Sequence, residues 1–434
     1  MNTLVIAHAA QLATPLGKTA RCGAEMRAIQ VIEDAAVVAQ NGIITAVGPS
    51  AQILAQTDLR DAEILDASGK CVVPGFVDSH THFLFGGYRE EEFLMRLAGK
   101  GYLEILAAGG GILDTVRHTR SLDEDGMLAL GKKRLDDMLS YGVTTVEGKS
   151  GYGLDRETEL RTLRALKHLN QTHSVDVIST FLGAHAVPEE YAGRGMAYID
   201  FILQDVLPSI REEQLADFCD VFCEQGVFSV EESEKLLQKA KEMGFACKIH
   251  ADEMEPFGGA ELAARVGCVS ADHLLRASEK GISAMAEAGV VATVLPATAF
   301  CMQKPFADAR AMIDAGGAVA MASDYNPGSC FCNSIPLLFA LACINMHLSV
   351  EEALTSMTLN GAAALCRADS VGSIEPGKKA DLVVLADPSY RFLVYRTAGN
   401  LVERVYKNGR LAFQKGMQPV ETASSSALLK GDPS

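Results

Sequence analysis

The sequence predicts an α/β protein: a (β/α)8 TIM-like barrel with a small β-sandwich domain formed from both chain ends. Three observations predict it. The middle of the chain alternates short apolar strands with helical patterns, as a parallel sheet covered by helices does. Eight such strands can be counted, the number that closes a barrel. The two ends differ from the middle and match each other, with short alternating strands broken by turns. An open doubly wound sheet is the alternative, but no G-x-G-x-x-G follows the first strand of the middle region.

Residues 1–70 supply TLVIAHAAQLAT, AAVVAQNGIITAVGP and AEILDASG. Asn41-Gly42 joins two alternating runs, which is a hairpin signal. Residues 71–370 form the predicted barrel, with strands CVVPGFVD, VTTVEG, VDVISTFLG, CDVFCE, CKIHA, CVSADH, VVATVLP and AVAMASD. Between them, RETELRTLRALKHLN and SVEESEKLLQKAKEMG carry helical periodicity. The second opens with Ser229 and Glu232 at capping-box spacing. Residues 371–416 return to β character in GKKADLVVLAD, FLVYRTAGN and LVERVYKNGRLAFQKG, and complete the sandwich domain. Residues 417–434 are polar and small, and read as a loose tail.

With 434 residues, 48% of them hydrophobic and 22% charged, the chain is long enough for a large core. Its net charge of −16 and the lack of a basic run argue against nucleic acid, whose phosphates demand a positive face. The eleven cysteines are scattered without a C-x-x-C pair, as expected of reduced, buried thiols in a cytoplasmic protein. MNTLVIAHAAQLATP lacks a charged n-region, so no signal peptide is read. The apolar stretch IPLLFALACINM is too short to span a bilayer, so no membrane partner is expected.

Chemistry concentrates at the strand ends. Alternate residues of a strand share a face, so His80 and His82 in PGFVDSHTH project together where barrel enzymes carry their sites. Taken alone, H-x-H describes two surface histidines in a loop just as well. Of ten histidines, however, five fall at predicted strand C-termini: His80, His82, His185, His250 and His273. The last strand ends with Asp324. A barrel gathers such ends at one rim, and three histidines with one aspartate suit zinc or a similar divalent ion, with water in the open position. For any one residue a satisfied buried histidine is the plainer explanation. For five at equivalent positions coincidence is the poorer one.

PGFVDSHTH after a β segment, KIHADE, SADHL and ASDYNPG resemble the amidohydrolase superfamily. EGKSGYGL, FLGAHAVP, GGYREEEF and NPGS narrow the resemblance to members that open the cyclic amide of 4-imidazolone-5-propanoate in histidine degradation. The resemblance covers nearly the whole chain. It implies metal ligands His80, His82, His250 and Asp324, and substrate contacts from Arg89, Tyr102, Tyr152, His185, Asn326, Gly328 and Ser329. Beside the reacting ring it implies Glu253 and His273, with Asp324 also carrying the proton. The strand VDVISTFLGAH lacks the lysine that bridges two metals in related barrels, so one divalent metal ion is expected, zinc first and iron second. Lys149, on the preceding strand, reads as half of a structural ion pair.

The implied partner is a small-molecule substrate with a carboxylate tail, and the implied assembly is a homodimer. Arg89 offers a planar fork to that tail, although a pair with Glu90, Glu91 or Glu92 is the ordinary alternative. A deaminase on the same barrel competes, because His250-Ala-Asp-Glu253 also suits protonation of an outgoing amine. A non-enzymatic sensor that kept the fold ranks lower, since a sensor need not retain both the metal ligands and the proton carriers.

Overall fold

The computed structural model describes residues 3–101, 104–105 and 109–416. Tyr102 and the tail at 417–434 lie outside the described residues.

Five strands come first: β1 (Thr3–Pro15), β2 (Ile29–Gln40), β3 (Ile43–Pro49), β4 (Ala62–Asp66) and β5 (Cys71–Pro74). The predicted turn at Asn41-Gly42 links β2 to β3 in antiparallel register, Gln40 opposite Ile43. Both turn residues have positive φ, 51° and 86°, as a two-residue type I′ hairpin requires. Eight strands follow: β6 (Phe76–Asp78), β7 (Val143–Lys149), β8 (Asp176–Ala184), β9 (Phe218–Cys223), β10 (Ala246–Ala251), β11 (Ser270–His273), β12 (Val291–Val294) and β13 (Ala318–Met321). They pair in parallel, each with its neighbour in sequence. The chain ends with β14 (Leu382–Leu385), β15 (Val402–Lys407) and β16 (Arg410–Gln414).

The two chain ends form one mixed sheet in the order β16-β15-β14-β5-β1-β2-β3, with β4 added on β1. Period-two alternation divides β1 between two cores. Leu4 and Ile6 cluster with Leu382, Val384 and Tyr406, whereas Val5 and Ala7 meet Ile53 of the helix Ser50–Gln56.

The run CVVPGFVD, read as one barrel strand, is two. Cys71–Pro74 pairs with β1 and β14 in the mixed sheet, and only Phe76–Asp78 enters the barrel. Gly75 makes the crossing, because a Cβ there would lie 2.2 Å from Thr144 Oγ1. FLVY in the C-terminal region, read as β, is a short helix, Phe392–Tyr395. The two predicted helices form at Arg156–Thr172 and Val230–Glu242. Ser229 and Glu232 make both bonds of the capping box.

Closure of the barrel lies beyond the last residues of β6 and β13. Asp324 N donates to His80 O (3.0 Å), and His82 N donates to Tyr325 O (3.0 Å). Just below, the Asp78 carboxylate accepts from Ser323 N and Oγ (2.9 and 2.6 Å). The residues that close the barrel are therefore the ones on which the sequence places its chemistry. Among the described residues no helix is long and apolar enough to cross a membrane, and all eleven cysteines are free.

Candidate metal and active site

The strand ends bring five imidazoles together. His80 and His82 follow β6, His185 follows β8, His250 lies near the end of β10 and His273 ends β11. Nε2 of His82 lies 3.3 Å from Nε2 of His80 and 3.3 Å from Nε2 of His250. Asp324 Oδ1 is 3.5 Å from both His80 Nε2 and His82 Nε2. All four side chains are buried.

These nitrogens cannot satisfy one another. His80 Nδ1 meets Asp272 Oδ2 at 2.6 Å, and His250 Nδ1 lies 3.1 Å from Asp220 Oδ2. Asp272 hydrogen-bonds the His80 ring at Nδ1 and Asp220 favours the same tautomer of His250 electrostatically, which leaves a lone pair on each Nε2. Both lone pairs face His82 Nε2, which has at most one proton to share, and a carboxylate oxygen joins them. Burial holds the His80 and His82 imidazoles well below their ordinary range, so both rings are neutral. A cation would complete such a set. His80, His82 and Asp324 lie together within reach of one ion, and their spacing of 3.3–3.5 Å is close to the tetrahedral edges of about 3.3–3.4 Å that zinc–nitrogen bonds of about 2.0–2.1 Å set.

Charge bookkeeping points the same way. Lys149 Nζ contacts Asp220 (2.6 Å), Glu147 (3.0 Å) and Asp272 (3.6 Å), and Lys248 Nζ contacts Glu147 (3.0 Å) and Asp272 (3.8 Å). Every one of these groups is fully buried. Two ammonium groups thus face four carboxylates when Asp324 is included, an excess of negative charge that favours a cation. Lys149 is the structural ion partner its sequence position implied.

The backbone at the site is unusual. Asp324 and His273 have φ of 50° and 77°, left-handed values that non-glycine residues rarely adopt. Thr298 Oγ1 donates to Asp324 Oδ2 at 2.7 Å. Burial pushes the Asp324 carboxyl up to about 6 against the pull of Thr298. Glu253 Oε2 stands 3.6 Å from His273 Nδ1, and desolvation, with Asp324 and Glu224 nearby, pushes its carboxyl up to about 8. His185 stacks on His82 (centroids 4.9 Å, 16°) and Tyr152 lies against both rings.

A cavity of ≈ 390 Å³ is lined by Tyr88, Arg89, Phe93, Gly328, Ser329 and Phe331 among others; none of the five histidines lines it, and the segment Pro327–Ser329 joins it to Asp324 in sequence. The turn between it and Asp324 is built by Asn326. Its Oδ1 accepts from Gly328 N and Ser329 N (both 2.8 Å), and its Nδ2 donates to Asp324 O (2.7 Å) and Ser329 Oγ (2.8 Å). In this structure the Asn326 amide and the Gly328 and Ser329 backbone amides hydrogen-bond within the turn.

Comparison with known proteins gives the family. The amidohydrolase family matches residues 91–413. An imidazolonepropionase of Clostridium tetani is 58% identical over 414 residues, covering 95% of this chain and 99% of that protein. One from Parabacteroides distasonis is 56% identical over 410 residues, covering 94% and 99%. The chain belongs to the imidazolonepropionase family of amidohydrolases.

Members of this family are hydrolases, and the present chain is one. Its fold is shared more widely than its sequence. A zinc-bound adenosine deaminase from Xanthomonas campestris superposes with a TM-score of 0.69 at 21% identity, covering 96% of this chain and 94% of that one. E. coli guanine deaminase gives 0.70 at 16%, covering 96% and 100%. In this imidazolonepropionase-family chain, sequence reasoning missed Asp220, Asp272, Glu147 and Lys248. Their signal was charge inside otherwise apolar strands, as in CDVFC and CKIHA.

Proposed function

We propose that the protein hydrolyses 4-imidazolone-5-propanoate to N-formimidoyl-L-glutamate, the ring-opening step of histidine degradation. The observation that supports this is the gathering of His80, His82, His250 and Asp324 at the strand ends, with Arg89 on a cavity whose wall includes Gly328 and Ser329 of the turn that follows Asp324. His80, His82, His250 and Asp324 would hold the ion, zinc first and iron second, both of which suit such a donor set. A bound divalent ion supplies a water acidified to near neutrality as the nucleophile.

The chain's own residues do the rest. The Asp324 carboxylate takes the proton of the attacking water and passes it to the ring nitrogen as the C–N bond breaks. Thr298 fixes the rotamer in which it does so. His273 donates to the carbonyl oxygen as negative charge grows there. Glu253, whose carboxyl desolvation raises, donates to or shuttles a proton with the ring. Arg89 anchors the propanoate tail through its guanidinium, assisted by Tyr152, His185 and Ser329. A homodimer in the cytoplasm is part of the same reading, consistent with eleven free thiols.

Incubation with freshly generated imidazolone propanoate tests it. Loss of the substrate's ultraviolet absorbance, formation of the formimidoyl product and no ammonia are expected. Chelator should stop the reaction, and added zinc or iron should restore it. Ammonia release from amino-heterocycles, or inert metal-loaded protein, would replace this reading with the deaminase or the sensor.

A further inference from the structure

Arg89 precedes the helix Glu90–Leu97, whose first turn carries three glutamates. Glu90 and Glu91 are exposed and Glu92 is buried. Glu92 grips one edge of the Arg89 fork: Nε donates to Oε2 (2.8 Å) and Nη2 to Oε1 (2.7 Å). The same Oε2 accepts Gly111 N at 2.8 Å. Among the described residues Nη1 makes no hydrogen bond. It lies against Gly328, where a Cβ would come within 2.2 Å of it. One turn beyond Glu92, Arg96 Nη2 donates to Gly328 O, tying the helix to the opposite wall of the cavity.

A guanidinium has two bidentate edges. Glu92 occupies the Nε–Nη2 edge, and the Nη1–Nη2 edge is left to the cavity. We propose that Glu92 is a positioning residue that locks Arg89 so that its Nη1–Nη2 edge receives the substrate carboxylate, and that it couples this anchor to the glycine turn at 109–111. The inference rests on Arg89 being the carboxylate anchor. Glu92 adds no attraction for an anion, since it carries the same sign. Its contribution is to order a long flexible side chain before the ligand arrives.

The test uses metal-loaded enzyme. Glu92→Ala should raise KM about tenfold, with kcat held within about twofold. Glu92→Gln, which keeps one acceptor, should recover part of the loss. Calorimetry with imidazole-4-propanoate and its neutral propanamide gives a readout independent of turnover, and Glu92→Ala should lose most of the preference for the acid. In the Arg89→Met background, Glu92→Ala should change KM by less than about twofold, because its effect runs through Arg89. Unchanged or lowered KM in Glu92→Ala, or an equal rise in both backgrounds, overturns the proposal. An Arg89→Met variant with normal KM would instead remove the anchor reading on which it stands.

Discussion

Asp324 occupies a strained backbone conformation three residues past the last barrel strand, and the site depends on where that turn aims its carboxylate. Asp324→Asn keeps the shape and Thr298's partner but removes the base. Turnover should fall by at least about two orders of magnitude while thermal unfolding stays near the wild type, and normal kcat would take Asp324 off the proton path. Gly328→Ala probes the neighbouring wall. Its φ is ordinary, so the cost is steric and falls on Arg89, which Glu92 prevents from moving aside. KM should rise about tenfold to a hundredfold, the worth of a charge-assisted contact, with little change in kcat. At this scale the histidines and Asp324 were legible, because each sits where a strand pattern stops. Asp272 and Asp220 were not, because nothing local pairs Asp272 with His80, 192 residues away.

Between strands, the stabilising unit is the buried charge layer on β7, β9, β10 and β11. Lys149 neutralises Asp220, Glu147 and Asp272 at once. Burial alone would lower its ammonium, but those carboxylates outweigh it and hold the group above its usual range. Lys149→Met leaves the acids uncompensated, and stability should drop by about 3–5 kcal/mol, measured as a shift in denaturant midpoint. An unshifted midpoint would mean that Lys248 alone suffices. Strand and helix types followed well from periodicity wherever a run was long or capped, as at Ser229. The errors came where a run was short. CVVPGFVD reads as one apolar strand because both halves are buried, and the break shows only in the tertiary pairing, with the close approach of Thr144 at Gly75 marking the crossing. FLVY is too short for period two and period 3.6 to be told apart.

The mixed sheet and the barrel meet across an ion cluster. Asp176, at the start of β8, contacts Lys379 (2.9 Å) and Lys407 (2.8 Å), and the Asp381 carboxylate also meets Lys407. Burial alone would raise the Asp176 carboxyl, but the two lysines hold it below the usual carboxylate range. A carboxyl depressed on folding contributes stability above its unfolded value, about 4, and loses that contribution as pH falls through the folded value. Asp176→Asn should therefore lower Tm at pH 7, and the gap to the wild type should close below about pH 4. A gap that persists in acid would assign the loss to packing. That both chain ends build one unit was legible from matching character alone. The contacts that fasten it to the barrel were not, since lysines in GKKAD and RVYKNG look like any solvated pair.

Pairing β5 with β14 also sets an order of events on the ribosome. Cys71–Pro74 emerges early, yet its partner Leu382–Leu385 is translated only after the entire barrel. Until then an apolar strand keeps one bare edge, the kind of surface through which nascent chains cross-associate. The N-terminal half-sheet is thus a segment that a chaperone would shield, and any truncation before residue 382 leaves that edge permanently open.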